Sequence, residues 1–163
     1  VKRVQDVVKV FAGIRRYKNA KLLLVGDGPE RYNVEQMCRE VGYCDDINFI
    51  GKSNQVEMLL ANSDLFILPS ETESFGLAAL EAMAAGVPVI SSNRGGLPEV
   101  NQHGFSGFLS DVGDIKSMVD YSLNVLESDE SMALFSKQAK EQASKFDLIS
   151  IIPQYLRLYQ SLV

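Results

Sequence analysis

Two glutamates, Glu73 and Glu81, are spaced so that both can reach one ligand at the start of a helix. Glu73 precedes the small, apolar segment 75–85, and Glu81 lies within it. Eight helical residues turn roughly 80° beyond two full turns, so the two carboxylates can flank one cleft without meeting. Carboxylates accept hydrogen bonds from paired hydroxyls such as those of a ribose or a hexose. The alternative is that Glu73 only compensates the positive end of the helix dipole and that Glu81 lies on a solvated helix face. The largely apolar composition of the helix argues against a solvated Glu81, and a glutamate buried there would need a partner.

The segment between these glutamates predicts an anion site made of backbone groups. Ser74 is a natural N-cap, which leaves the N–H groups of Phe75, Gly76 and Leu77 at the helix start. Such a helix end attracts phosphate, and Gly76 has no side chain to obstruct the approach.

Two other glycine-rich turns follow apolar runs. Gly26 and Gly28 precede a helical pattern, but Arg31 occupies the place of the third glycine of a dinucleotide fingerprint. This turn is therefore either a phosphate loop or a plain strand-to-helix corner. The segment 92–99 contains two adjacent glycines and is either a close-approach loop or an ordinary turn. His103, in a turn of its own, is expected to be a surface histidine.

These turns separate elements that alternate regularly. Short apolar runs predict strands, and between them amphipathic patterns predict helices; the strands are at 22–25, 47–50, 65–68, 87–90 and 107–109, and the helices at 2–17, 30–41, 54–61, 75–85, 114–127, 131–144 and 148–162. Runs that are apolar on both faces are typical of a parallel sheet covered by helices. The fold class is therefore α/β, with a doubly wound, Rossmann-like parallel sheet.

The chain opens on a helix with no strand before it. In a doubly wound sheet the first strand is usually central, so its absence would leave a hole in the core. We expect the chain to be cut from a longer one just after that strand. The final helices, about 131–162, have no strands between them and are expected to pack over a missing domain.

Composition excludes several classes of protein. The 163 residues carry a net charge of −5, with no cluster of Lys and Arg to bind nucleic acid. Every apolar run is far shorter than the ~20 residues of a membrane span. Cys38 and Cys44 are too few for a disulfide framework and lack zinc spacing, which favours a reducing, cytoplasmic setting. With one histidine, no metal site is expected.

The segment ESFGLAALE, residues 73–81, resembles the E-x7-E signature of retaining glycosyltransferases of family 4, which have the two-domain GT-B fold. LLLVGDGPE, INFIGK, ANSDLFILPSETESFG, EAMAAGVPVI, GGLPEV and HGFSGFL are similar to that family in the same order. The resemblance implies that 1–163 is the donor-binding domain, without its first strand and without the N-terminal domain that binds the acceptor. It implies a UDP-sugar donor, with UDP-N-acetylglucosamine and L-malate, in bacillithiol biosynthesis, as the narrower expectation.

The resemblance also implies roles for individual residues. Glu81 would bind the ribose and Glu73 the donor sugar. The backbone of Ser74, Phe75, Gly76 and Leu77 would contact sugar hydroxyls and the diphosphate. Lys2 would neutralise the leaving diphosphate, although by its position alone it is a solvated cation at an unfavourable helix end. Gly26 and Gly28 would line the nucleotide crevice, and Lys52 would lie near the base.

The resemblance implies no cofactor and no metal. Two other functions stay open. The isolated chain could bind the nucleotide without catalysis, or the domain could be half of a nicotinamide-dependent oxidoreductase. The second is opposed by Arg31 and by the lack of an acidic residue at the usual ribose position.

Overall fold

The computed structural model describes residues 2–147, 152–153, 157 and 160. Twelve helices and strands alternate within 2–147: α1 Val4–Arg15, β1 Leu22–Val25, α2 Arg31–Val41, β2 Ile47–Gly51, α3 Val56–Ala61, β3 Phe66–Leu68, α4 Leu77–Ala84, β4 Val89–Ser92, α5 Leu97–Val100, β5 Gly107–Ser110, α6 Ile115–Val125 and α7 Asp129–Ser144. A 3-10 turn, Cys44–Asp46, precedes β2. The α/β prediction is confirmed. The helix predicted over 148–162 lies outside the described residues, apart from four positions.

The strands are parallel and form two separate sheets rather than one. β1 pairs with β2, and Leu22 lies opposite Ile47. β4 lies between β3 and β5 in the second sheet. No hydrogen-bonded ladder between described residues joins β1 to β3.

The three-stranded sheet has helices on both faces, as a doubly wound fold requires. On one face, β4 packs against α4 and α7 in a cluster that includes Met83, Val89 and Ala139. On the other face, Ile90 packs against Met118 of α6. The four residues of β4 are all buried, in keeping with the prediction that such runs are covered on each side.

Helix α1 is the element that bridges the two sheets. Val10 and Ile14 belong to the core cluster of the three-stranded sheet. Val8 and Phe11, on the adjacent part of the same apolar stripe, pack against α2 and Ile47 of the two-stranded sheet. One amphipathic helix therefore holds both halves of the fold together.

A cleft of about 1480 Å³ separates the two sheets and is lined by the residues of β1 on one side and of β3 on the other. Leu23 and Val25 are 38% and 44% exposed, so the prediction that every strand is covered on both faces is wrong for β1. Leu23 and Val25 lie on one face of β1 and belong to no core cluster, whereas Leu22 and Leu24, on the other face, pack against α1 and α2.

One strand boundary is corrected. The strand predicted at 87–90 begins at Val89, because Pro88 has no N–H to donate to a ladder, although its carbonyl accepts from Phe66. Helix α7 packs on α4 within this domain, and the expected packing of the C-terminal helices over a further domain stays a prediction. Among the described residues, no helix is long and apolar enough to cross a bilayer.

Cys38, in α2, forms a disulfide with Cys44, in the turn before β2. The number and spacing of the two cysteines did not predict this bond. Disulfides persist mainly in oxidising compartments, so the pairing does not support the expected reducing setting. The cytoplasmic location stays a prediction.

Candidate functional site

Loops at the carboxyl ends of the strands bring the candidate residues to one edge of the molecule. Gly26 and Gly28 follow β1, the segment 69–76 follows β3, and the segment 93–96 follows β4. Because the strands are parallel, these loops lie on the same edge, where open α/β sheets bind their ligands.

Lys2 and Glu73, 71 residues apart, form an ion pair at this edge. Lys2 Nζ donates to Glu73 Oε2 at 2.5 Å. The Glu73 side chain is 13% exposed and that of Lys2 57%, so a largely covered carboxylate holds a cation that solvent and ligands can reach. The structure thus brings together the two residues predicted to act at the sugar and at the leaving group.

Arg3 and Asp6 fix the backbone next to Lys2. Arg3 has φ 49° and ψ 49°, which makes it the one non-glycine residue with positive φ in the described chain. Its Nε donates to Asp6 Oδ2 at 2.5 Å, and the Asp6 side chain is 5% exposed. The Asp6 carboxylate raises the pKa of Arg3 above its ordinary value, through this bond and its charge. This hydrogen bond offsets the conformational free energy that a non-glycine residue such as Arg3 costs in the left-handed backbone region.

Helix α4 starts two residues later than Ser74 capping would require. The N-cap is Gly76, with φ 93°, and no side chain caps the helix, so the prediction of a Ser74 cap is wrong. A left-handed glycine reorients the chain before Leu77 and moves the helix start forward. The N–H groups of Ser74, Phe75, Gly76 and Leu77 donate to no acceptor among the described residues. Leu77 is the first residue of this eight-residue helix and the other three precede it; Gly76 is buried, whereas Ser74, Phe75 and Leu77 are exposed.

The glycine pair after β4 packs directly on the segment that carries Glu73. Gly96 N–H donates to the Glu73 carbonyl at 3.2 Å. A Cβ on Gly95 would lie 1.6 Å from the same carbonyl oxygen, and one on Gly96 would lie 2.7 Å from the Ser74 oxygen. The glycines of 92–99 thus allow a close approach to protein backbone, and both alternatives for this segment, a ligand loop and an ordinary turn, stay predictions.

The missing side chain of Gly76 does not leave space for a ligand. A Cβ there would lie 2.9 Å from Leu97 Cδ2. The expectation that Gly76 keeps the approach open is therefore corrected, because Leu97 occupies that direction. The positive φ and this contact both require glycine.

Glu81 is exposed and lines the cleft. Helix α4 is less buried than its composition suggests, since Leu77 at its start is 62% exposed. Leu77, Glu81 and Ala84 lie on one face at helical spacing, and all are exposed. The expectation that Glu81 is buried, and needs a partner to offset its lost hydration, is therefore wrong. Its position at the cleft leaves it available to a ligand.

Of the remaining candidates, two lie at the cleft and one does not. Gly26 and Gly28 line it, with open space where a Cβ would be, and Gly26 has φ 117°. Lys52 is exposed beyond β2 and is not among the residues that line the cleft.

His103 is an exposed histidine with its own structural bond, as expected. Its Nδ1 accepts from the Leu109 N–H at 3.1 Å, and its ring contacts Phe108 and Tyr121 edge-on. Within the described part of the chain, no group of three or more His, Cys, Asp or Glu residues is arranged to hold a metal ion.

Sequence reasoning missed Asp6 and the supporting role of Gly95 and Gly96. Asp6 was detectable as the one acid within the apolar stripe of the first helix, three residues after Arg3. The contact between the glycine pair and Glu73 has no local signal, because it joins segments 22 residues apart.

Comparison with known proteins shows the family of this chain. Residues 1–142 match the family described as "Glycosyl transferases group 1". The chain belongs to that family.

Curated relatives cover nearly all of the chain. It is 46% identical over 160 residues to the N-acetyl-alpha-D-glucosaminyl L-malate synthase of Bacillus anthracis. This match covers 98% of the present chain and 42% of the synthase. It is 35% identical over 146 residues to the 2-deoxystreptamine N-acetyl-D-glucosaminyltransferase of Niallia circulans, covering 86% and 37%. The chain thus spans less than half the length of these relatives.

Solved structures show the same fold. The structure of Anabaena HepE in complex with UDP and glucose has a TM-score of 0.82 and 26% identity, covering 95% of this chain and 44% of that one. Staphylococcus aureus TarM in a complex that contains UDP has a TM-score of 0.85 at 22% identity, covering 97% and 33%. These neighbours are GT-B glycosyltransferases with Rossmann-like domains, which confirms the predicted fold class.

Proposed function

We propose that this chain is the donor-binding domain of a retaining glycosyltransferase that transfers a sugar from a UDP-sugar. The observation that carries the proposal is the Lys2–Glu73 ion pair, which lies next to the four free N–H groups of Ser74–Leu77. A cation and a set of unpaired N–H groups at one helix start suit a diphosphate. A carboxylate beside them suits sugar hydroxyls.

In the proposed reaction, the bond between the anomeric carbon and the diphosphate breaks, the acceptor hydroxyl oxygen bonds to that carbon on the same face, and the hydroxyl proton passes to the leaving diphosphate. Lys2 and the N–H groups stabilise the charge that develops on the leaving diphosphate. Preorganised donors of this kind are worth about 2.7–4 kcal/mol each at oxyanion sites. Glu73 orients the sugar, and Glu81 accepts from the ribose hydroxyls. No step needs a metal, because fixed positive groups meet the diphosphate.

The names of two relatives support a narrower proposal for the donor and the acceptor. Two of them are named as transferring N-acetylglucosaminyl groups, and one of these as acting on L-malate. We assign UDP-N-acetylglucosamine as donor and L-malate, in bacillithiol biosynthesis, as acceptor. The acceptor would bind to an N-terminal domain of the parent chain, so the 163-residue chain binds the donor and is inactive alone. The proposed setting is cytoplasmic, in which case Cys38 and Cys44 would react with thiol reagents in freshly lysed cells.

Calorimetric titration tests the donor site directly. We expect the chain to bind UDP and UDP-N-acetylglucosamine, and NAD at least tenfold more weakly. Glu81→Ala should weaken both uridine ligands at least tenfold through the lost ribose contacts. Glu40→Ala is the matched control, because Glu40 is also an exposed helical glutamate but lies at the far end of α2.

If the Glu81→Ala variant and the unaltered chain bind UDP with equal affinity, Glu81 does not contact the ribose. Tighter binding of NAD than of UDP would favour the oxidoreductase alternative. Adding the acceptor domain and L-malate to the donor-bound chain separates the remaining possibilities, since product should form only when both domains are present.

A further inference from the structure

We propose that Ser92, the last residue of β4, is a positioning residue that holds Glu73 at the donor sugar through a hydrogen bond to the loop after β3. This inference deepens the proposed function and rests on it, because it concerns the carboxylate assigned to the sugar. Ser92 is fully buried and is not among the residues that line the cleft. It would therefore act through the loop and not by touching the donor.

The ladder between β3 and β4 ends where the loop begins. Its last pair is Leu68 with Ser91. Pro69 follows Leu68 and has no N–H, so it adds no donor to the ladder. The hydroxyl of Ser92 donates to the carbonyl of Ser70 and thereby extends the contact between the two segments beyond the last ladder pair.

Two hydrogen bonds fasten this loop to the segment that follows β3's neighbour, β4. The Ser92 hydroxyl holds the carbonyl of Ser70, and the Gly96 N–H holds the carbonyl of Glu73 at 3.2 Å. The two carbonyls are three positions apart in the sequence, so the backbone between them has little freedom while both bonds are present. The Glu73 side chain thus stays beside Lys2.

The donor of the first bond sits on a rigid support. β4 lies between β3 and β5, and all four of its residues are buried. On one side of Ser92, the Ser91 hydroxyl oxygen accepts from Asn101 Nδ2 at 3.1 Å. On the other side, the Asn93 N–H donates to the Ser110 carbonyl at 2.9 Å. Ser92 therefore keeps its place even if the loop moves, as a residue that orients a site must.

The bond is costly to lose because both of its partners are buried. Ser70 and Ser92 are each 0% exposed, and no other donor to the Ser70 carbonyl is found among the described residues. A buried carbonyl that loses its donor pays for its lost hydration unless it moves to another donor or to water. Removal of the Ser92 hydroxyl should therefore shift the loop and, with it, Glu73.

The test compares two serine-to-alanine variants of the chain. Ser92→Ala removes the hydroxyl that holds the loop. Ser122→Ala is the matched control, because Ser122 is also 0% exposed and its hydroxyl donates to a backbone carbonyl, that of Met118, at 2.6 Å. Ser122 lies toward the far end of α6, which leads away from the carboxyl edge. Calorimetry measures the affinity of each variant for UDP and for UDP-N-acetylglucosamine.

Amide hydrogen exchange supplies a readout that does not depend on the donor. The Gly96 N–H is bonded to the Glu73 carbonyl, so its exchange reports whether the loop stays in place. The Asn101 N–H, bonded to the Leu97 carbonyl at 2.8 Å, is the internal reference within the same segment.

We expect Ser92→Ala to weaken UDP-N-acetylglucosamine at least fivefold and UDP no more than twofold. The reason is that Glu73 shifts, whereas the start of α4 stays packed on Leu97. Exchange at Gly96 should become at least tenfold faster, and exchange at Asn101 should change less than twofold. Ser122→Ala should leave all four quantities within twofold, and Ser92→Thr, which keeps a hydroxyl, should restore the affinity and the protection of Gly96.

Unchanged exchange at Gly96 in Ser92→Ala would overturn the proposal, since the loop would not depend on Ser92. Equal weakening of UDP and UDP-N-acetylglucosamine, or no weakening of either, would also overturn it. So would a Ser92→Thr variant that protects Gly96 but has lost the affinity for the sugar nucleotide. If the unaltered chain binds neither ligand, the proposed function fails, and the exchange at Gly96 still decides whether Ser92 holds the segment that carries Glu73.

Discussion

At the scale of single residues, the site is defined by charges that already have partners before a ligand arrives. Glu73 holds Lys2, and Asp6 holds Arg3. Two cations at an unfavourable helix start are thus each neutralised by a carboxylate. A diphosphate that binds Lys2 must therefore compete with Glu73, and this competition makes a testable difference between UDP and UDP-sugar.

Glu73→Gln should weaken the binding of UDP-sugar but not that of UDP. Removing the competing carboxylate frees Lys2, so UDP should bind equally well or up to tenfold more tightly. UDP-N-acetylglucosamine should bind at least tenfold more weakly, because the acceptor for the sugar hydroxyls is weakened. Calorimetry with both ligands measures the difference.

Lys2→Ala is the companion variant and should weaken UDP and UDP-sugar alike, since both carry the diphosphate. If Glu73→Gln weakens both ligands equally, Glu73 supports the loop and does not contact the sugar. If Lys2→Ala leaves both affinities unchanged, Lys2 does not meet the diphosphate.

Asp114 provides a pH-dependent contribution to stability away from the site. It caps α6 by accepting from the Ser117 N–H at 3.0 Å and from the Ser117 hydroxyl, and these bonds hold the pKa of Asp114 below its ordinary value of 3.8. A lowered carboxyl pKa stabilises the fold above the ordinary value and loses that effect as the pH falls through the folded value. Asp114→Ala should therefore lower Tm by a few degrees at pH 7.

That difference in Tm should shrink as the pH falls below about 3.8, as followed by thermal unfolding. Asp114→Ser keeps an N-cap without a charge, so its Tm should differ from that of the unaltered chain by less at pH 7. A difference for Asp114→Ala that does not change with pH would mean that the ionised carboxylate is not what caps α6.

At the scale of elements, the alternation of strands and helices could be predicted from the sequence because its signals are local. Runs such as 22–25 and 65–68 end in glycine or proline, and each forms a strand within one residue of its predicted bounds. What could not be predicted depends on contacts between distant segments. Ser74 has the side chain of a cap, but the left-handed Gly76, packed on Leu97, moves the helix start beyond it.

The contact between the loops after β3 and β4 predicts a specific effect of Gly95→Ala. The added Cβ would lie 1.6 Å from the Glu73 carbonyl oxygen, so the segment that carries Glu73 must move. We expect UDP-sugar affinity to fall at least tenfold, as measured by calorimetry, and Tm to fall as well.

Gly104→Ala is the matched control. Gly104 also has a positive φ, 77° against 58° for Gly95, but a Cβ there meets open space. Both variants therefore carry the cost of a left-handed alanine, and only Gly95→Ala carries the collision. Equal losses of UDP-sugar affinity in the two variants would show that the contact with Glu73 does not position the site.

At the scale of the whole molecule, the chain is two half-sheets joined by α1 around a cleft between β1 and β3. One face of β1 is partly exposed, whereas β4 is fully buried, because helices pack on both faces of β4. The carboxyl edge, where the candidate residues gather, spans both half-sheets.

The central claim is that this edge binds a uridine diphosphate between Glu81 and the start of α4. A crystal structure of the chain soaked with UDP tests it most directly. We predict the ribose hydroxyls within hydrogen-bond distance of the Glu81 carboxylate, and the diphosphate on Lys2 and the N–H groups of Ser74–Leu77. UDP bound elsewhere, or an empty edge at a UDP concentration that saturates the chain in solution, would contradict the claim.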